Sequence, residues 1–205
     1  RKDLNQSKIH FKGVTDLVSD IDIASEKKLI KGLNNILTNA DVLAEESRPE
    51  HIPKGLYWVI DPIDGTTNFV HGIPLFAISI ALMQDDETLL GVVYEINQGE
   101  MFSAWKNGPA LLNKKIIHVR NNNNLIESLM ATGFPYDQEM DLESYVAMMT
   151  EIVKNTRGIR RLGSAAIDLA YIAAGRLDGF YEIKLNPWDV AAGALIVECA
   201  GGEVF

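Results

Sequence analysis

The sequence predicts an α+β fold, a layered sandwich of helices and sheets. Three observations carry this. Helical apolar periodicity runs from Asp22 to about Leu37 and again through Leu142–Val153, Ala165–Ala174 and Trp188–Cys199. Phe76–Met83, Leu89–Ile96 and Met101–Trp105 read as consecutive strands separated only by Gln84-Asp85-Asp86 and Asn97-Gln98-Gly99, the pattern of an antiparallel meander. The two kinds of segment are mixed without strict alternation, which argues against a doubly wound parallel sheet.

The first helix carries its apolar residues at Ile23, Leu29, Ile30, Leu33, Ile36 and Leu37, with a charged outer face and Asp20 or Asp22 as a cap. After it, Val42-Leu43-Ala44 leads into Glu45-Glu46, where one carboxylate could end a strand at the edge of a cleft. Leu56–Ile60 reads as a buried strand that delivers Asp61 at its carboxyl end, because Pro62 interrupts the ladder of a central strand. The polar cluster Asn121–Asn124 is a surface loop; helices predominate beyond it. Gly175 closes the Ala165–Ala174 helix, Phe180–Ile183 is a further strand, and Gly201-Gly202 follow the last helix. The whole reads as one domain, with a first sheet-bearing half over 1–120 and a helix-rich half over 121–205.

At 205 residues, with 47% apolar and 23% charged side chains, the chain has enough material for a sizeable core and is not disordered. Its net charge of −9 disfavours direct nucleic-acid or anionic-membrane binding, and an anionic ligand needs a local source of positive charge such as a metal ion. No apolar run approaches the ~20 residues that cross a bilayer, and the first residues lack a secretion signal. Cys199 is alone, so the chain forms no internal disulfide; this fits a reducing cytoplasm and a packing role. His10, His51, His71 and His118 are scattered, without the spacing of a zinc site. Arg157, Arg160 and Arg161 form the one compact basic group, read as a solvated edge or a dimer-contact strand, and Trp58 and Trp188 as packing behind neighbouring acids.

Asp61-Pro62-Ile63-Asp64-Gly65-Thr66-Thr67-Asn68-Phe69 is the segment richest in chemistry. Two carboxylates lie three residues apart before a glycine, whose backbone freedom lets the Gly65 and Thr66 amides converge on one anion. Carboxylates beside an amide nest make sense if divalent cations bridge protein oxygens to a phosphate, as Mg²⁺ does. A calcium loop fails, since Ile63 occupies a ligand position. An aspartyl-phosphate enzyme of the haloacid dehalogenase type uses a two-residue Asp-x-Asp spacing, which Asp61 and Asp64 lack and which Asp20 and Asp22 have without a nucleophile loop. The bland alternative is an Asp-Gly turn with solvated carboxylates. Asp189, at the start of an apolar helix, likewise has a capping role as its plain alternative, and so does Asp22.

Trp58–Phe69, Trp188-Asp189-Val190-Ala191-Ala192-Gly193, Leu43–Ser47, Asp16–Asp22 and Gly163-Ser164-Ala165-Ala166, in this order and separation, resemble the inositol monophosphatase family of Mg²⁺-dependent, lithium-sensitive sugar phosphatases over nearly the whole chain. The resemblance implies a layered α-β-α-β-α sandwich of the sugar phosphatase type, here truncated at both ends, and a cytoplasmic homodimer. It implies two or three Mg²⁺ per site, with Mn²⁺ as a substitute. Glu45, Asp61 and the Ile63 carbonyl would hold the first ion; Asp61, Asp64 and Asp189 the second. Thr66 paired with Asp22 would orient the attacking water, the Gly65 and Thr66 amides would hold phosphate, and Ser164, Ala165 and Glu182 would meet sugar hydroxyls. Lys12 would lie in the loop that closes on the site. One departure is Ala44, where the family usually has glycine.

The expected activity is therefore hydrolysis of inositol monophosphate or a related sugar phosphate by direct water attack. The alternatives are the same chemistry on fructose 1,6-bisphosphate, a nucleotide 3′-phosphate or histidinol phosphate, and a partner-binding protein that retains the fold, as with bacterial relatives associated with the transcription apparatus.

Overall fold

The computed structural model describes residues 9–11, 17–49, 51–134 and 142–205. In chain order it contains β1 (Ile9–Phe11), β2 (Leu17–Ser19), α1 (Asp20–Ile36), β3 (Asp41–Ala44), β4 (Leu56–Asp64), α2 (Thr66–Val70), β5 (Ala77–Gln84), β6 (Glu87–Glu95), β7 (Glu100–Trp105), β8 (Leu111–Leu112) and β9 (Lys115–Ile116). A short 3₁₀ turn at Leu125–Glu127 is followed by β10 (Leu129–Thr132), α3 (Leu142–Asn155), β11 (Gly158–Arg160), α4 (Ala165–Ala173), β12 (Gly179–Tyr181) and α5 (Pro187–Cys199).

Strands β3 to β9 form one seven-stranded sheet in sequence order; β3 and β4 are parallel and the remaining pairs antiparallel. Strands β11, β10 and β12 form a second, parallel sheet. The expected meander is present as β5, β6 and β7. The expected sandwich is present too: α1, the large sheet, α4 with α5, the small sheet and α3.

Strand β4 is buried on both faces, and its alternation explains both cores. Trp58 and Ile60 join Leu33, Ala40 and Ala44 beneath α1, while Tyr57 and Val59 point into the larger core shared with α4 and α5. The last helix is mostly apolar around its circumference, with Trp188, Ala192, Gly193, Leu195, Ile196 and Val197 buried, as suits a helix packed between other elements. It lies so close to the sheet that a side-chain carbon on Gly91 would meet the Ala192 carbonyl at 2.6 Å. Ser79 on β5 donates to the Trp188 carbonyl at 3.1 Å, fixing the start of α5 above the centre of the sheet.

One expectation needs correcting. Strand β4 does not stop before Pro62 but runs to Asp64, through an irregularity between Asp61 and Asp64. Proline, which has no N–H, is tolerated where the ladder is already interrupted. In the second half helices predominate as expected, with the short strands β10, β11 and β12 alternating with them.

Candidate active site

In a regular strand, residues three apart face opposite sides. Here Asp61 pairs with Ser79 and Asp64 with Ala77, so three steps on β4 match two on β5. That one extra residue is a bulge, and it turns both carboxylates toward the same cleft. The strand then ends at Gly65, whose φ of 94° and tight approach to the Gly163 and Leu75 carbonyls leave no room for a side chain. Asn68 secures the turn by donating to the carbonyls of Leu75 and Leu162, each at 2.7 Å.

The result is a cleft of about 140 Å³ lined by Glu45, Asp61, Ile63, Asp64, Gly65, Thr66, Ser164, Ala165, Glu182 and Asp189, all singled out from sequence. Asp22 does not line it. It is fully buried behind Thr66, whose hydroxyl lies 3.1 Å from Asp22 Oδ1 and 3.0 Å from the Ile63 carbonyl. Lys12 and Asp16 fall outside the described residues. His51, His71 and His118 are exposed and are not among the lining residues.

Each carboxylate is placed by a different element. The Asp61 Oδ1 accepts from the Ile63 amide at 2.9 Å. The Asp64 Oδ2 accepts from Ser164 Oγ at 2.5 Å and from the Ala166 amide at 2.7 Å, which joins the end of β4 to the start of α4. Ser164 also caps that helix, accepting from the Ile167 amide at 3.3 Å. Asp189 is both cleft wall and cap: its Oδ2 accepts from the Asn186 amide at 2.6 Å. Glu26, one turn after Asp22 on α1, accepts from the Glu46 amide at 2.8 Å and so holds the Glu45-Glu46 segment. Arg48 donates from Nε to the Glu45 carbonyl at 3.1 Å and lies 5.0 Å over the Trp188 ring, linking the strand-end loop to the start of α5.

This concentration of negative charge disturbs the titration of the site. Burial, then Glu45, Asp64 and Asp189, push the Asp61 carboxyl well above its usual range. Burial and Asp189 push Asp64 up to about 7, against the hydrogen bonds from Ser164 and Ala166. Burial raises Glu182 to about 7 while Arg161 opposes it.

The donor set is entirely oxygen, which suits a hard cation such as Mg²⁺, and the crowded carboxylates call for positive charge between them. Among the described residues, no three His, Cys, Asp or Glu side chains form a ready-made cage for a metal ion.

Several lining residues lay outside the sequence reading. Gly133 follows β10 and is bare because the Glu182 carboxylate fills the place of a side chain. Arg161, expected on a solvated edge, lines the cleft. Asp168 on α4, 1% exposed, also lines it, and its one available signal was a charge inside Ala165-Ala166-Ile167-Asp168-Leu169-Ala170.

Comparison with known proteins accords with this arrangement. The sequence model of the inositol monophosphatase family matches residues 1–205. The chain is 41% identical over 195 residues to a protein of Pasteurella multocida named Nus factor SuhB, covering 95% of this chain and 73% of that one. Among solved structures it is similar to the extragenic suppressor protein suhB from Bartonella henselae, with a TM-score of 0.91 at 38% identity, covering 98% of this chain and 77% of the other. It is also similar to the inositol monophosphatase from Anabaena (Nostoc) sp. PCC 7120, with a TM-score of 0.84 at 38% identity over 89% of this chain and 73% of that one. On this match over its full length, the chain belongs to the inositol monophosphatase family.

Proposed function

We propose that this protein is a Mg²⁺-dependent phosphomonoesterase that hydrolyses inositol monophosphate or a closely related sugar phosphate with water as the attacking group. The observation that carries the reading is the convergence of Glu45, Asp61, Asp64 and Asp189, from three separate stretches, on one cleft beside the Gly65-Thr66 turn. A scaffold protein has no physical need for so much buried like charge.

In this reading Glu45, Asp61, the Ile63 carbonyl, Asp64 and Asp189 hold two or three Mg²⁺, with Mn²⁺ as a substitute. When bound, these ions supply charge neutralisation for the phosphoryl group and for the leaving oxygen. The protein's own residues do the rest. The first N–H groups of a helix have no partner within it, so the Gly65 and Thr66 amides are placed to hold phosphate oxygens. Thr66 passes its hydroxyl proton toward Asp22 Oδ1, 3.1 Å away, and its oxygen then takes a proton from the attacking water. The water oxygen forms the new bond to phosphorus as the bond to the sugar oxygen breaks; that oxygen leaves as the alcohol after taking a proton from solvent water, and the proton held by the Thr66–Asp22 pair returns to solvent. Ser164 keeps Asp64 in place, while Ala165 and Glu182 face the sugar.

A hydrolysis panel tests this: inositol monophosphate, fructose 1,6-bisphosphate, a nucleotide 3′-phosphate and histidinol phosphate, each with Mg²⁺, with chelator, and with Li⁺. Release of phosphate from inositol monophosphate that needs Mg²⁺ and is blocked by Li⁺ is expected; a covalent phospho-aspartate would exclude direct water attack. The relatives named Nus factor favour a second reading, a macromolecular partner bound by the outer surface, which a fully inactive but well-folded chain would support. The first reading extends to a homodimer in the cytoplasm, checked by light scattering and fractionation. Among the described residues, no helix is long and apolar enough to cross a membrane.

A further inference from the structure

Asp168 lines the same cleft as Asp64, Glu182, Gly133 and Arg161. Asp61 is influenced by Glu45, Asp64 and Asp189, whereas Asp168 is influenced by Asp64, Glu182 and Arg161. Asp168, on α4 four residues after Ser164, thus shares its wall of the cleft with Asp64 and Glu182. Its side chain is 1% exposed, and its Oδ1 is buried without a hydrogen-bond partner. Such a group costs stability unless something donates to it.

Helix α4 does not need this carboxyl for its own sake. Ser164 already caps the helix, and Asp64 already receives the Ala166 amide. A further carboxyl one turn on, among Ile167, Leu169 and Ala170, places one more polar group in a buried wall that already holds Asp64. A ligand donor offsets that cost. Each hydroxyl of a polyol has one proton to give, so two adjacent hydroxyls present two donors to two neighbouring carboxyl groups.

We propose that Asp168 is a specificity-determining residue which, beside Glu182, accepts from neighbouring ring hydroxyls of the substrate's polyol half. The proposal rests on the phosphomonoesterase reading and names what that site selects: a phosphate ester of a ring carrying adjacent hydroxyls.

The test uses the intact chain with Mg²⁺ and three probes: inositol monophosphate, cyclohexyl phosphate (the same ring without the other hydroxyls) and inorganic phosphate. Asp168→Asn is expected to raise KM for inositol monophosphate about tenfold with kcat within about twofold. KM for cyclohexyl phosphate and inhibition by inorganic phosphate should stay within about twofold. Equal losses on both esters overturn the proposal, because Asp168 would then act through Asp64 or the fold; no loss on either overturns it as well. Calorimetric titration of inositol monophosphate reads binding separately. A wild-type chain that binds it and loses about tenfold affinity in the variant keeps the proposal even when no phosphate is released, an outcome that sinks only the hydrolytic reading. A wild-type chain that binds no probe overturns both. If Asp168→Asn fails to fold, wild-type crystals soaked with inositol monophosphate decide. A ring hydroxyl within about 3.2 Å of an Asp168 oxygen supports the proposal, and a ring that leaves Asp168 to protein or water alone overturns it.

Discussion

Asp168 carries a pH signature as well as a position. Burial first, then Asp64 and Glu182, raise its carboxyl from 3.8 to about 8, with Arg161 opposing. Between those values the folded chain holds a proton that the unfolded chain has lost, so stability falls as pH rises across the interval. Metal-free protein is therefore expected to melt at progressively lower temperature from about pH 4 to about pH 8, and Asp168→Asn should flatten that slope. A slope unchanged in the variant would show that Asp168 titrates normally. Gly133 makes a second residue-scale prediction. An alanine methyl there would stand 1.9 Å from Glu182 Oε2, and the flexible carboxylate has to yield. Gly133→Ala should thus raise KM for inositol monophosphate several-fold with little change in melting temperature, since the displaced atoms are a side-chain tip rather than backbone. A large loss of melting temperature would instead place the cost in the backbone.

At the scale of elements, the turn after β4 and the loop after β3 set the site. Gly65→Ala combines a φ of 94° with contacts of 3.0 and 3.1 Å to two backbone carbonyls, so neither rotation nor a small shift relieves it. A loss of about 1–3 kcal/mol is expected in denaturant unfolding, together with loss of activity. Arg48 differs in kind, being exposed and joined to the Glu45 carbonyl and the Trp188 ring. Arg48→Ala should weaken Mg²⁺ binding while the fold persists, with Lys a poor replacement because it lacks the planar face that stacks on tryptophan. These elements were unevenly legible in the sequence. The meander and the four longer helices had enough turns or alternations for a period to register. Strands β8 and β9, of two residues each, and the three-residue β11 are too short for any period, whereas β12 overlaps the strand expected at Phe180–Ile183. The bulge in β4 was hidden because Pro62 reads locally as the end of a strand, whereas the neighbouring β5 carries the pairing past it to Asp64.

For the whole molecule, the distances along the chain explain what local patterns could not supply. Glu45 and Asp189 reach one cleft from opposite parts of the sequence, and no spacing rule connects them; the family resemblance did. Asp168 escaped for the opposite reason, since its neighbours read as a plain core helix. The fold spends stability to hold this cleft, and Asp61 is where the conflict is sharpest. It is 2% exposed, and burial with Glu45, Asp64 and Asp189 makes its ionised form unfavourable without a cation. Asn has the same shape and keeps an oxygen to accept from the Ile63 amide, so Asp61→Asn removes the charge conflict with little change in packing. Near pH 7 the metal-free variant is therefore expected to melt at or above the wild-type temperature, while the stabilisation that Mg²⁺ gives wild type shrinks and turnover is nearly lost. Thermal melts of both proteins with and without Mg²⁺, set beside phosphate release, separate the two roles. Equal stabilisation by Mg²⁺ in both would remove Asp61 from the cation site, and a strongly destabilised metal-free variant would make its carboxylate a structural requirement instead.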